Sequence, residues 1–451
     1  MRSILNPTIL VSASLPRGVL AALFFASFAW PNESASRDIT LDQALLMSAE
    51  KDPEVKASLA ELEAAGAARR QDRLLLNPEA EGSYKFGADG NRLELAVSED
   101  IGQILLYPLK WGLGGARYRE AKLRAAIDLA DRQFEVKRSY NEAAALQQAE
   151  MLAMAGMESA DAAAELAARQ RKAGNINALQ QDVQIGLQQD AAAEVARIRA
   201  EAGLAKLHLA SLIGETISPD SLRIADTLAS FPPADPTAGE LIRMALGQGP
   251  DVAAAQAVEA GAWKSFWLAR LNRLPLRAGV AWEQEGGKTF IGPTLAIQVP
   301  LDLGWNASAR AKWEHEAARQ RVAAAEAGIR ARISASRARM SAARDSERYL
   351  RRTVIPHRKV IMEETQLHYN FMLEGVYELI HARKRIFEAQ REAISARKEY
   401  WTARAELERI LGAPVPPGKS LIADPETPPE NPPEPAPAAP APSGHQHHGG
   451  H

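Results

Sequence analysis

From Glu79 to Ile101, and again from Leu276 to Val299, apolar and polar positions alternate with a period of two. In the first stretch Ala80, Gly82, Tyr84 and Phe86 fall on one side, and Glu79, Glu81, Ser83 and Lys85 on the other. The chain turns through Gly87–Asn91, where Asp89-Gly90 is a strong hairpin signal. It returns with Leu93, Leu95 and Val97 opposite Arg92, Glu94, Ala96 and Ser98. The expected strands are Glu79–Phe86 and Arg92–Ile101, then Leu276–Glu283 and Thr289–Val299. In the second pair Leu276, Ala278, Val280 and Trp282 alternate with Arg277, Gly279, Ala281 and Glu283. After Gly286-Gly287, Ile291, Leu295, Ile297 and Val299 alternate with Gly292, Thr294, Ala296 and Gln298. One apolar and one polar face on segments of ~10 residues is the pattern of outer-membrane strands. Strand by strand, a half-buried hairpin on a soluble core gives the same alternation.

The rest of the pattern is helical. Ile39–Arg73 reads as one helix, with Thr40 and Asp42 as capping candidates and a stop at Asn77-Pro78. Leu113–Lys172 runs without Pro over ~60 residues, or ~90 Å at 1.5 Å per residue. Asn306–Phe371 is similar, interrupted only by Pro356. Each ends at a short turn, Gly174-Asn175 or Glu374-Gly375, and each is followed by a returning helix, Ala178–Leu212 or Val376–Leu411, closing on Gly214 or Gly412. Long antiparallel helices with small residues at their seams suit coiled-coil-like hairpins. The whole layout occurs twice at an offset of ~197 residues, matching Asn77-Pro78 to Leu274-Pro275. The fold class is therefore mainly α with a small β part, in two repeats: residues 30–213 and 237–412, joined by a link at 214–236.

Composition narrows the function. The 451 residues include no Cys and carry a net charge of −2. That excludes a disulfide framework, thiolate metal sites and a lipid-modified Cys, and gives no case for nucleic acid. Arg2, Arg17 and the apolar run Gly18–Trp30 read as a secretory signal, cleaved after Ala29, so residues 1–29 are assigned to it. No other apolar run approaches the ~20 residues of a spanning helix. A membrane crossing must then use strands, and four strands cannot close a barrel alone, which points to an oligomeric pore. No His-Glu-x-x-His or Gly-rich phosphate loop is present, so neither a catalytic residue nor a cofactor is expected. Residues 413–451 form a Pro-rich tail expected to be disordered, ending in His445, His447, His448 and His451, a candidate Cu or Zn site. Met151, Met154 and Met157 follow one helical stripe; packing against a neighbouring helix explains them better than soft-metal ligation.

Taken in order, these motifs resemble the TolC family of outer-membrane efflux channels over roughly Asp38–Gly412. Ile39–Leu45 followed by Asp52-Pro53-Glu54-Val55 is similar to the family's opening helix, and Gly239–Leu246 followed by Gly249-Pro250-Asp251-Val252 repeats it. Val299–Gly304 resembles the strand-exit segment, Tyr369 with Glu378–Arg383 the tip and ascending helix, and Tyr400 with Leu407–Gly412 the closing motif. Met372 stands where the tip Gly of the second copy is expected, with Gly375 following, and Arg171 stands in place of an aromatic residue in the first copy. The resemblance implies a homotrimer whose three chains make a 12-stranded barrel in outer-membrane lipid of a Gram-negative cell, continued by an α-helical tunnel in the periplasm. It implies passive conduction, with a periplasmic adaptor (membrane fusion protein) and an inner-membrane resistance-nodulation-division pump as partners. Gly174, Asn175, Tyr369, Met372, Glu374, Gly375 and Glu378 become the tip, gate and adaptor-docking residues. Glu81, Glu94, Thr294 and Gln298 become lumen-facing strand positions. The divided-repeat spacing and the bare tip are similar to the heavy-metal cation branch. A channel for drugs or secreted polypeptides, and a soluble periplasmic coiled-coil scaffold, remain open alternatives.

Overall fold

The computed structural model describes residues 37–74, 78–86, 91–215, 222–271, 276–285, 287–297 and 304–418. The proposed signal segment, Asp89-Gly90, Gly286, Gln298–Leu303 and the four tail His lie outside them.

The chain opens with strand β1 (Arg37–Ile39), then helices α1 (Leu41–Lys51) and α2 (Pro53–Gln71). The single helix expected over Ile39–Arg73 is thus a strand and two helices. Pro53 supplies the break, since proline has no N–H and disfavours helical geometry in the residue before it. Asp52 sits extended at the junction and caps α2, accepting from the Glu54 N–H at 2.9 Å. Thr40 caps α1: its hydroxyl accepts from the Gln43 N–H, and the Gln43 side chain accepts from the Thr40 N–H in return.

Strands β2 (Glu79–Lys85) and β3 (Arg92–Asp100) follow, then a short helix α3 (Ile101–Leu105) and the long helix α4 (Tyr107–Lys172). The 66 residues of α4 rise about 100 Å. It starts earlier than its apolar pattern indicated, because Pro108 occupies the first turn, where a missing N–H costs nothing. Helix α5 (Ala178–Leu212) returns along it. The supposed link then contains strand β4 (Leu222–Ile224), which pairs in parallel with β1. Leu222, Ile224 and Leu228 are buried there, so this segment belongs to the core.

The second copy repeats the plan with α6 (Ala238–Gln248), α7 (Pro250–Leu271), β5 (Leu276–Glu285), β6 (Lys288–Ile297), α8 (Trp305–Tyr349), a π-turn (Leu350–Val354), α9 (Ile355–Asn370) and α10 (Val376–Leu411). Thr237 and Glu240 rebuild the capping box at the same offset. The π-turn ends two residues before Pro356 and absorbs the hydrogen bond and the space that proline denies to an α-helix, so the helical run continues rather than ending.

Two buried cores sit at mid-height. One gathers Ile39, Ala44, Val136, Tyr140, Leu209 and Leu222. The other gathers Leu241, Ile329, Ile333, Met340, Tyr400 and Leu407. Each holds a tyrosine whose hydroxyl meets a carboxylate: Tyr140 at 3.1 Å from Asp226, Tyr400 at 2.7 Å from Asp235. Burial first, and then these carboxylates, raise both phenol pKa values. Val415 is buried in the second core, Arg404 donates to its carbonyl at 2.7 Å, and the Gly418 N–H reaches Ala234 at 3.0 Å. The packed body therefore runs on to Gly418, six residues beyond the boundary expected at Gly412.

Candidate functional site: the sheet faces and the helical turns

The four long strands form one antiparallel sheet in the order β2-β3-β5-β6. Its register places cross-strand rows on alternating faces. One face carries the rows Ala80–Val97–Val280–Pro293 and Gly82–Leu95–Trp282–Ile291. No layer covers this face: Val97, Val280, Ile291 and Leu295 are each more than half exposed. The ten-residue strands β5 and β6, at ~3.4 Å per residue and tilted by ~40°, rise about 26 Å, close to the ~25 Å of a membrane barrel, with Glu99 and Gln284 the polar exceptions on this face.

The other face carries the row Glu81–Ala96–Ala281–Gly292, flanked by Glu79–Ser98–Gly279–Thr294 and Ser83–Glu94–Glu283–Phe290. Glu81, Glu94 and Thr294 thus share the polar face, as the alternation predicts; Gln298 lies outside the described residues. The carboxylates of this face are largely taken. Arg92 meets Glu283 at 2.5 Å, Lys85 meets Glu94 at 4.0 Å, and Arg277 contacts Glu79. The face is a lattice of crossed ion pairs rather than a carboxylate ring. Phe290 is its one bulky apolar side chain among the described residues, and it escaped the sequence reading because Thr289–Ile291 is too short a stretch to fix register.

At the far end of the helices, the two turns have the same build. In the first, Gly174 is left-handed (φ 79°), and the Asn175 N–H reaches back to Gln170 at 2.9 Å. In the second, Met372 takes the left-handed place (φ 58°), and the Leu373 N–H reaches back to His368 at 2.8 Å. Gly375 instead occupies the extended N-cap position of α10, without a side-chain cap. The Tyr377 hydroxyl donates to Gln170 at 2.9 Å, so the turns of both copies lie together. Glu374 and Glu378 are exposed, and Tyr369 is 39% exposed. Phe371, Met372 and Leu373 form an exposed apolar knob, with Leu179 exposed on the neighbouring turn. Phe371 and Leu373 were missed in the sequence, although three apolar residues in a turn were the available signal.

Each level of the molecule has two free flanks. In the sheet they are β2 and β6. Beside the sheet, the helices run α2-α4-α7-α8; toward the turns they run α5-α4-α10-α9. At every level one flank belongs to the first copy and the opposite flank to the second. No helix is long and apolar enough to cross a membrane among the described residues, and there no group of His, Asp and Glu is placed to hold a metal ion.

No protein-family model matches the chain, and no curated protein does. Solved structures do. The outer membrane protein VceC of Vibrio cholerae superposes with a TM-score of 0.70 at 15% identity, over 83% of this chain and 97% of that one. The open-state MtrE outer membrane channel of Neisseria gonorrhoeae gives 0.67 at 15% identity, over 86% and 94%. CusC, solved in a study of transmembrane channel formation, gives 0.62 at 14% identity, over 86% and 96%. The chain has the fold of an outer-membrane channel. Within the channel fold, the uncovered sheet face and the exposed turns are the two ends of one helical shaft.

Proposed function

We propose that three copies of this chain close into a 12-stranded barrel in the outer membrane, continued by a helical tunnel in the periplasm, and conduct solutes passively. What carries the reading is the coincidence of an uncovered apolar sheet face with free flanks on opposite sides at all three levels. An open sheet edge in lipid leaves backbone groups unpaired at several kcal/mol each, so β2 must find β6 of another copy. The exposed knob Phe371–Leu373, with Gly174, Asn175, Tyr369, Glu374, Gly375 and Glu378 around it, is the surface for a periplasmic adaptor, which in turn couples the channel to a resistance-nodulation-division pump. The energy comes from that pump, and the channel performs no chemistry of its own.

For cargo, we extend the reading to heavy-metal cations. The support is His445, His447, His448 and His451, four imidazoles within a span short enough to meet one Cu(II) or Zn(II) ion. The polar sheet face adds little to the choice, because most of its acids, Glu79, Glu94 and Glu283 among them, are paired with Arg or Lys. A deletion strain tests the cargo: the reading expects increased susceptibility to copper or zinc. Increased susceptibility to drugs alone removes the metal assignment and leaves the channel. Planar-bilayer recording tests the channel itself, which predicts discrete, voltage-tolerant conductance.

A further inference from the structure

Tryptophan and basic residues gather at the sheet-proximal ends of α2, α4, α7 and α8. Five of the chain's 8 Trp lie there: Trp111, Trp263, Trp267, Trp305 and Trp313. Trp305 and Trp313 are each more than 60% exposed, and Trp111 and Trp263 nearly half. All fall within about three helical turns, ~16 Å, of the strands. The band is also strongly basic. Residues 66–74, 107–119, 261–271 and 305–316 hold 10 Lys and Arg against 3 Asp and Glu, in a chain whose totals are 54 and 56.

The cations are mounted on the rings. Arg73 lies over Trp111 at 5.0 Å, Arg69 over Tyr118 at 5.1 Å, Lys312 over Trp313 at 5.4 Å and Arg270 over Trp267 at 5.7 Å. Helix electrostatics accounts for three of the four. Arg69, Arg73 and Arg270 lie at or just past helix C-termini, where positive charge is favoured, whereas Lys312 lies two turns inside α8, beyond the reach of its terminus, and Lys110 stands in the first turn of α4, where positive charge is disfavoured. Neither of those helices has an acid in its first turn. Tryptophan concentrates at the headgroup level of a bilayer, and Arg and Lys reach toward lipid phosphate.

We infer that this band binds the phosphates of anionic phospholipids in the periplasmic leaflet, each ring holding a cation ready for a phosphate oxygen. The inference rests on the channel reading, since it needs the sheet to sit in lipid. It also sets the membrane boundary on the helices, below the last strand residues.

The test uses the full chain reconstituted in phosphatidylcholine bilayers with and without phosphatidylglycerol. Insertion and conductance in phosphatidylcholine alone report the channel reading. The thermal midpoint reports the band. The wild type is expected to melt several degrees higher with phosphatidylglycerol, and 1 M salt is expected to remove that gain. A variant carrying R69Q, R73Q, R270Q and K312Q is expected to lose the gain while keeping its midpoint in phosphatidylcholine; Lys at the three Arg positions is expected to restore most of it. A wild type with no phosphatidylglycerol gain, or a gain indifferent to salt, overturns the inference while channel conductance stands, and does so even if the four-site variant fails to fold. A protein that inserts in neither bilayer overturns both.

Discussion

Val97 is the sharpest place to challenge the barrel. It sits on the interior strand β3, in the middle row Ala80–Val97–Val280–Pro293, on the uncovered apolar face. Its side chain is 52% exposed in the single chain, so Val97→Lys creates no clash and removes little packing. Ala96, its neighbour, points to the opposite face, in a row with Ala281 and Gly292 that leaves room for a long side chain. If the apolar face meets lipid, the middle row lies near the bilayer centre, where a lysine costs ~2–4 kcal/mol. A trimer carries three of them, so assembly loses roughly 6–12 kcal/mol. Ala96→Lys, facing water in the lumen, costs close to nothing. The assay is the yield and heat resistance of assembled oligomer after refolding into vesicles. V97K should fail to assemble, and A96K should match the wild type. Equal tolerance of the two, or failure of both, refutes the assignment of faces.

Three smaller predictions follow from the helical shaft. Met372→Gly relieves a left-handed residue and should stabilise the second turn by ~1 kcal/mol in thermal unfolding, whereas Gly174→Ala should cost about as much in the first. Truncation after Gly418 should leave unfolding unchanged, but truncation after Gly412 strips Val415 from the second core and should cost ~2–3 kcal/mol. Hydrogen bonds from Arg197 and then from Arg391 hold the Glu194 carboxyl down at about 2, against an ordinary 4.5. Its folded value is the lower one, so its stabilisation is present above pH 4.5 and fades as pH falls toward 2. The midpoint difference between wild type and Glu194→Gln should shrink across that window and stay flat above it.

The strands were legible because a period of two has one physical meaning on a sheet, and the pairing puts the alternating residues within the described strands on their expected faces. The two long hairpins were legible from nearly uninterrupted helical stretches that end at Gly174-Asn175 and Glu374-Gly375 and resume at once. The misreadings share another cause. Ile39 and Leu222–Ile224 look like parts of a helix and a linker, because a three-residue parallel pairing between distant segments leaves no local period. Val415 was lost to the tail because Pro-rich composition outweighs one buried side chain. At the second turn the reading held: Met372, standing where the tip glycine is expected, takes the left-handed conformation, and Gly375 serves as the extended N-cap of α10. The ion pairing of the polar sheet face depends on cross-strand register, which sequence alternation does not fix.

The central claim is that β2 of one copy pairs with β6 of another to close a membrane barrel. Electron cryomicroscopy of the full chain in lipid nanodiscs tests it most directly. The account predicts three chains around one axis, twelve strands within the lipid belt, and β2 beside β6 of the neighbouring copy at each seam. A single chain, or a particle whose sheet lies outside the lipid with β2 and β6 unpaired, contradicts it.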